Sequence, residues 1–177
     1  MLRRTAVLAL VLACLAAGVA GCGSSKSSSS SPAAGTTATT THLAKTKFVF
    51  HAALAFGAFH HFIYKPARAG ELTHPLSHKL TVVKAGAAAL FTYHELKLAA
   101  QDVKSSPLLS KLFAPITIVA TKIKNLDSSI KGGHASGSDV EGINSSLASI
   151  KSTAASNGQG FSDQVPSAAQ LAAGVAK

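Results

Sequence analysis

Histidine is the side chain in this 177-residue chain that is both abundant and able to bind a metal ion or a haem iron. His74 and His78 have the four-residue spacing with which two imidazoles on one helix hold a metal, although Pro75 lies between them. His94 lies on an apolar stripe, from which it could contact His60 or His61 across a helical domain. His51 and His60 would point in opposite directions on one helix, at about 100° per residue. The chain has eight histidines: His42, His51, His60, His61, His74, His78, His94 and His134.

Several specific metal centres are excluded because their ligands are missing. The only methionine is Met1 and there is no C-x-x-C-H, which excludes methionine-ligated and covalently attached haem. A di-iron bundle needs four glutamates, and the chain has three: Glu71, Glu95 and Glu141. No cofactor is predicted, and a histidine-ligated haem or a divalent metal held by His60, His61, His94, His74 or His78 stays as the alternative.

The sequence contains no complete hydrolase motif, only short segments that match part of one by chance. Gly133-His134-Ala135-Ser136-Gly137 does not have the order G-x-S-x-G, and Ser128-x-x-Lys131 lacks the companion motifs of penicillin-interacting enzymes. The sequence has no H-E-x-x-H and no phosphate-binding loop. We therefore predict that the protein is not an enzyme.

The amino-terminal segment has the order of parts that directs export and lipid attachment. Arg3 and Arg4 form a positive region, an apolar stretch follows over residues 6–20, and the chain then reads Val19-Ala20-Gly21-Cys22. This resembles the signal peptide and lipobox of bacterial lipoproteins. The resemblance implies cleavage after residue 21, diacylglycerol on the Cys22 thiol, and a lipid-anchored protein on the extracytoplasmic face of the cell membrane. Two acyl chains are enough for lasting attachment.

The residues after the lipobox predict a tether. Of the two cysteines, Cys14 leaves with the signal peptide and Cys22 carries the lipid, so no thiol remains for a disulfide or a zinc site. Residues 22–43 are rich in Ser and Thr and predict a disordered linker with a reach of about 25 Å.

The charge of the remaining chain is strongly positive in its first part. Residues 45–131 contain twelve Lys and Arg against four Asp and Glu, a net charge of +8. A basic body near a membrane is attracted to anionic lipid or to an acidic wall polymer. Arg68 is the one arginine after the signal peptide, and no nucleic-acid-binding motif is present, so nucleic acid is not an expected partner.

Apolar spacing predicts an all-α domain, an antiparallel four-helix bundle over residues 44–157, followed by a tail at 158–177 that is a short helix or loose. One predicted core stripe contains Leu109, Leu112, Ile116, Val119, Ile123, Leu126 and Ile130, in a helix capped by Ser106 and kinked at Pro115. The next contains Val140, Ile143, Leu147, Ile150 and Ala154, after a capping box at Ser138 and Glu141. The helix before them has the stripe Leu76, Leu80, Val83, Ala87, Leu90, His94 and Leu98.

The first predicted helix, over about residues 45–65, is rich in phenylalanine. Phe48, Phe50, Phe56, Phe59 and Phe62 give it apolar residues on nearly every side, which is typical of a buried helix. A face resting on the membrane is the alternative. Where this helix packs on the alanine-rich helix, its phenylalanines either fill the core or leave a groove that could bind an acyl chain.

Together these features predict a lipid-anchored, non-enzymatic binding or scaffold module of the cell envelope. The alternatives are a histidine-dependent haem or metal carrier, an acyl-chain binding protein and a pH-responsive surface protein. The ligand, the partner and the oligomeric state do not follow from the sequence.

Overall fold

The computed structural model describes the backbone of residues 34–176 and the side chains of residues 42–176. Over this range the chain is all-helical and has no β-strand, which confirms the all-α prediction. The elements are α1 (Ala34–Phe59), a π-helical turn (His60–Tyr64), α2 (Lys65–Arg68), α3 (Lys79–Lys104), a 3₁₀ segment (Pro107–Leu112), α4 (Phe113–Lys131), α5 (Gly137–Ser156) and α6 (Ala168–Val175). The described residues belong to one compact unit. In this part of the chain no helix combines the length and hydropathy that crossing a bilayer requires.

The signal peptide (1–21), the lipobox residues Val19, Ala20, Gly21 and Cys22, and most of the predicted linker lie outside the described residues. The helix nevertheless begins earlier than expected, at Ala34 and not near Lys45. Once the apolar part of a helix is packed, each residue added at its end forms another backbone hydrogen bond at little cost. Ala34 and Ala38 favour helix, whereas Gly35 and the five threonines of this stretch have lower helix propensity. The extension therefore depends on its continuity with the packed part of the helix.

Helix α3 is the centre of the packing. It lies against α1 on one side and α4 on the other, while α6 packs on it as well. Helix α5 packs on α4 and on the π-helical turn. The core formed in this way contains Phe48, Phe56 and Phe59 of α1, each at most 1% exposed.

The predicted stripes of α4 and α5 are confirmed as core. The seven apolar residues from Leu109 to Ile130 are at most 3% exposed, and the five from Val140 to Ala154 at most 2%. Their spacing matches the period of an α-helix, so one face of each helix is apolar and turns inward.

The starts of these two helices differ from the predictions. Pro107–Leu112 is a 3₁₀ segment, so α4 begins at Phe113. Pro115 therefore lies in the first turn of α4, where a missing N–H breaks no hydrogen bond of that helix, and not in the helix interior as expected. The side chain of Ser106 makes no cap. Helix α5 is capped by Ser136, whose Oγ accepts from the Asp139 N–H at 3.1 Å, and not by a box at Ser138.

The predicted core stripe of α3 was wrong. Leu76, Leu80 and Val83 are 83%, 77% and 68% exposed, and Ala87, Leu90, His94 and Leu98 are half-buried. The buried face consists mainly of small residues: Ala85, Gly86, Ala88, Ala89, Ala99 and Ala100. Small side chains let the backbones of neighbouring helices approach, so large side chains of α1 and α4 fill the space between them.

The tail is ordered and crosses α1. We call residues 158–167 the carboxyl-terminal strap. Phe161 contacts the rings of Phe48 and Phe56 edge-on, with centroids 6.2 and 5.0 Å apart. The Gln164 N–H donates to the carbonyl of Ala53 at 2.9 Å. Helix α6 follows with a capping box between Ser167 and Gln170 and buries Leu171.

The strap can approach α1 this closely because residue 57 has no side chain. A Cβ on Gly57 would lie 2.0 Å from the carbonyl oxygen of Gln164. Since the obstructing atom is backbone, a larger residue at this position forces the strap away from the helix.

Gly57→Ala is therefore expected to lower the free energy of unfolding by about 3 kcal/mol, the upper part of the usual cost of overpacking. The matched control is Gly142→Ala in α5, where a Cβ meets no atom within 4 Å. The control substitution should raise the free energy of unfolding by about 0.5–1 kcal/mol, because alanine loses less backbone entropy than glycine when the chain folds. Urea denaturation measures both. Equal effects of the two substitutions would contradict the close approach.

Candidate functional site

Two histidines of the first helical segment lie in polar clusters on opposite sides of it. His51 faces α3, and His60 faces α5 and the strap. Their opposite directions agree with the prediction from helical spacing. We call them the His51 cluster (His51, Glu95, Asp102) and the His60 cluster (His60, Asn144, Lys151, Asp163).

The His51 cluster places one imidazole between two carboxylates. Nδ1 of His51 lies 2.6 Å from Oε2 of Glu95, and Nε2 lies 3.9 Å from Oδ2 of Asp102. Glu95 and Asp102 are seven residues apart on α3, about two turns, so both side chains reach the same face. This face packs on α1, and His51 and Glu95 are mostly buried there.

Asp102 is the member of this cluster whose hydrogen-bonding capacity is not satisfied. Its Oδ2 is buried and has no hydrogen-bond partner in the described structure. Burial raises the pKa of the Asp102 carboxyl, while the charges of His51 and Lys47 act in the opposite direction. A raised pKa means that folding favours the protonated carboxyl.

The His60 cluster ties three parts of the chain together. Nδ1 of His60 is hydrogen-bonded to Oδ2 of Asp163 in the strap, and Nε2 lies 2.9 Å from Oδ1 of Asn144 in α5. Nδ2 of Asn144 donates to Glu141, which leaves Oδ1 as the acceptor toward His60. Only the protonated imidazole donates from both nitrogens, so this geometry suits imidazolium.

Lys151 completes the His60 cluster. Its Nζ donates to Oδ1 of Asp163 at 2.6 Å. Burial opposes ionisation of Asp163, but the hydrogen bonds and charges of Lys151 and His60 outweigh it, and the pKa of Asp163 lies below its usual value. The ionised carboxylate therefore holds the strap to the π-helical turn and to α5.

The π-helical turn begins at His60. Such turns are uncommon and frequent at functional sites, because they change the direction of a side chain within a continuous helix. A cavity of about 440 Å³ adjoins this turn and is lined by Gly57, His60, His61, Tyr64, Lys65, Asp163 and Val165. A smaller groove of about 220 Å³ adjoins the His51 cluster, and Phe50, His94 and Gln170 are among its lining residues.

The predicted metal candidates do not converge. His94 lies in the groove beside His51, whereas His60 and His61 line the other cavity. His74 and His78 are exposed in the turn before α3, where the His78 N–H donates to the His74 carbonyl. Over residues 42–176 no three His, Cys, Asp or Glu side chains are placed to share a metal ion.

A bis-histidine haem does not fit these positions either. It needs two imidazoles facing each other across one cavity, each with a free nitrogen. His51 and His94 share a groove, but both nitrogens of His51 face carboxylates. His60 is likewise engaged at both nitrogens.

The polar partners of the two histidines were missed by the sequence analysis. Glu95 and Asp102 could have been predicted to act together, because their seven-residue spacing places both acids on one face of a helix. Nothing in the sequence links Asn144 and Asp163 to His60, since they lie 84 and 103 residues from it along the chain.

Comparison of the chain with family models, with curated proteins and with solved structures finds no match in any of the three.

Asp163→Asn is expected to lower the free energy of unfolding by about 1–3 kcal/mol at pH 7, because two charged hydrogen bonds are lost. A carboxyl whose pKa is lowered by folding stabilises the protein above its ordinary pKa, and this contribution is lost as the pH falls through the folded value. The difference in the free energy of unfolding between the variant and the parent protein, measured by urea denaturation, should therefore shrink as the pH is lowered from 7 to 3. Asp139→Asn, at an exposed position, is the control. A difference that does not vary with pH would show that Asp163 does not act through its charge.

Replacing each of the two acids around His51 with its amide should affect the free energy of unfolding differently. Glu95→Gln removes a charged hydrogen bond and should cost about 1.5–3 kcal/mol at pH 7. Asp102→Asn should leave the free energy of unfolding at pH 7 unchanged or higher, because the contribution of a carboxyl with raised pKa declines as the pH rises through that pKa. Denaturation at pH 4 and pH 7 measures both variants. A loss of stability in Asp102→Asn equal to that in Glu95→Gln would refute this account of Asp102.

Proposed function

We propose that this chain is a lipid-anchored cell-envelope protein on the outer face of the membrane, whose helical domain is a non-enzymatic binding or scaffold module. The observation that carries the proposal is the sequence from Arg3 to Cys22, with its positive region, apolar stretch and lipobox in order. Diacylglycerol on Cys22 attaches the mature chain to the bilayer.

The module is, in this proposal, an antiparallel four-helix bundle of α1, α3, α4 and α5. Short connections favour antiparallel neighbours. The packing of α3 against both α1 and α4, and of α5 against α4, supports this arrangement. The carboxyl-terminal strap and α6 then close the outside of the bundle.

The two histidine clusters support a structural function for the buried polar groups. In the described structure both nitrogens of His51 and His60 face side chains of the domain itself. These histidines join helices to each other and to the strap. A scaffold needs this kind of fixed shape, and its partners contact the outer surface.

Two alternatives have less support. An acyl-chain binding protein needs space between the phenylalanine-rich α1 and α3, but Phe48, Phe56 and Phe59 are buried in contact with the core there. A metal carrier needs converging ligands, and the described residues provide pairs only. Anionic lipid and acidic wall polymer stay the proposed partners, because residues 45–131 carry a net charge of +8.

Lipid attachment is tested by labelling cells that produce the protein with a radioactive fatty acid. The parent chain should incorporate the label, and its mass should correspond to a chain beginning at residue 22 with a diacylglyceryl group. Cys22→Ser should incorporate none, because a hydroxyl does not form the thioether. Cys14→Ser is the matched control and should be labelled normally. Label retained in Cys22→Ser, or a parent chain that still contains residues 1–21, would sink the proposal.

A further inference from the structure

The outward face of α3 and the turn before it carry an apolar stripe whose first part is largely uncovered by the rest of the described chain. We call it the outer stripe: Leu76, Leu80, Val83, Ala87 and Leu90. Leu76, Leu80 and Val83 are among the most exposed large apolar side chains of the described structure, at 83%, 77% and 68%. Ala87 and Leu90 are half-buried and continue the stripe toward the middle of the helix. Leu80 and Val83 lie in the first turns of α3, and Leu76 lies in the turn just before the helix. Neighbouring exposed apolar side chains mark an interaction surface more often than isolated ones do.

The charges around the outer stripe are of one sign. Lys79 precedes Leu80 and Lys84 follows Val83, and both lysines are exposed. From residue 72 to residue 94 the chain contains no Asp or Glu. The first acid of α3 is Glu95, which is buried against His51 on another face. Within residues 72–94 the apolar stripe is therefore bordered by lysines and by no acid. Asp127 of α4 lies near Gly86, but it is buried and paired with Lys131.

A second copy of this chain is a poor occupant. The spacing of the stripe alternates between four and three residues, as in a coiled-coil seam. In such a dimer the residues that border the seam face each other. Here Lys79 and Lys84 would face lysines whether the helices ran parallel or antiparallel. Like charges in these positions oppose association.

We propose that the outer stripe inserts into the headgroup region of an anionic membrane, with Lys79 and Lys84 contacting lipid phosphates. An exposed helical face with apolar residues in the middle and lysines at its borders has the pattern of an interfacial amphipathic helix. This inference extends the proposed function, since it assigns a face of the domain to the bilayer that the lipid on Cys22 would hold nearby. Attachment would then fix the orientation of the domain as well as its location.

The lysines and the apolar side chains contribute separately. A lysine near an anionic surface raises affinity about fivefold, so removal of both should cost about 30-fold. Replacing two large apolar side chains with serine should cost at least tenfold, because their burial in the bilayer is lost.

The test uses a chain that begins at Gly23, which retains all the described residues and contains no cysteine. Circular dichroism checks that each variant is folded. Co-sedimentation is measured with vesicles of phosphatidylglycerol and phosphatidylcholine in equal parts, and with phosphatidylcholine alone. We expect binding to the mixed vesicles and at least tenfold weaker binding to the neutral ones.

Three double variants separate the contributions. Leu80→Ser/Val83→Ser should lose at least tenfold in affinity, and Lys79→Gln/Lys84→Gln about 30-fold. The matched control is Leu108→Ser/Ile118→Ser, which replaces side chains of similar exposure, 59% and 57%, at and near α4. It should change affinity less than twofold. No vesicle binding by the parent chain, or an equal loss in the control, would overturn the proposal.

A fluorescent label provides a measurement that does not depend on the stability of these variants. Leu80→Cys labelled with a polarity-sensitive fluorophore should shift to shorter wavelength when anionic vesicles are added, and labelled Ile118→Cys should not. A shift at both positions, or at neither, contradicts insertion through the outer stripe. A dimer in solution that Leu80→Ser/Val83→Ser dissociates would identify a second copy as the occupant instead.

These outcomes are independent of lipid attachment. The chain used here lacks residue 22, so failure to bind vesicles would reject the outer stripe as a membrane contact and leave the labelling result for Cys22 unaffected. Conversely, vesicle binding by this chain combined with an unlabelled parent protein would reject the anchor alone.

Discussion

The close packing of α1 on the small-residue face of α3 is the contact on which the rest of the domain depends. Ala85, Ala88 and Ala99 are fully buried on α3, and Phe48, Phe56 and Phe59 of α1 are buried in the same core. After Cys22 the chain contains no cysteine, so no disulfide adds to this packing. Because α3 also contacts α4 and α6, a change in its distance from α1 would affect every layer of the core.

The sequence predicted the helices well where hydrophobicity and burial coincide. In α4 and α5 the large apolar residues of the predicted stripes recur at helical spacing, and every member of those stripes is buried. In α3 the same reasoning chose the wrong face. Leucine and valine gave a stronger apolar signal than alanine and glycine, yet the neighbouring helix required small residues for close approach. Spacing alone does not distinguish a face that packs inside from one that stays exposed.

The polar clusters were beyond prediction for a different reason. The directions of His51 and His60 follow from helical geometry, but their partners depend on which elements pack there. Asp163 lies in a strap without apolar periodicity, and its position follows from the missing side chain at Gly57 and from Phe161. The pKa shifts of Asp102 and Asp163 have opposite signs because one carboxylate lacks hydrogen-bond partners and the other has two. Such differences arise only in the folded chain.

The position of the strap also determines when the domain can finish folding. Phe161 and Leu171, which complete the core around α1 and α3, come after α5 in the chain. Until they are in place, Phe48 and Phe56 lack their edge-on contacts with Phe161. Contacts between residues far apart in the chain cost more loop-closure entropy than local ones, so the packing around α1 is expected to be completed late in folding.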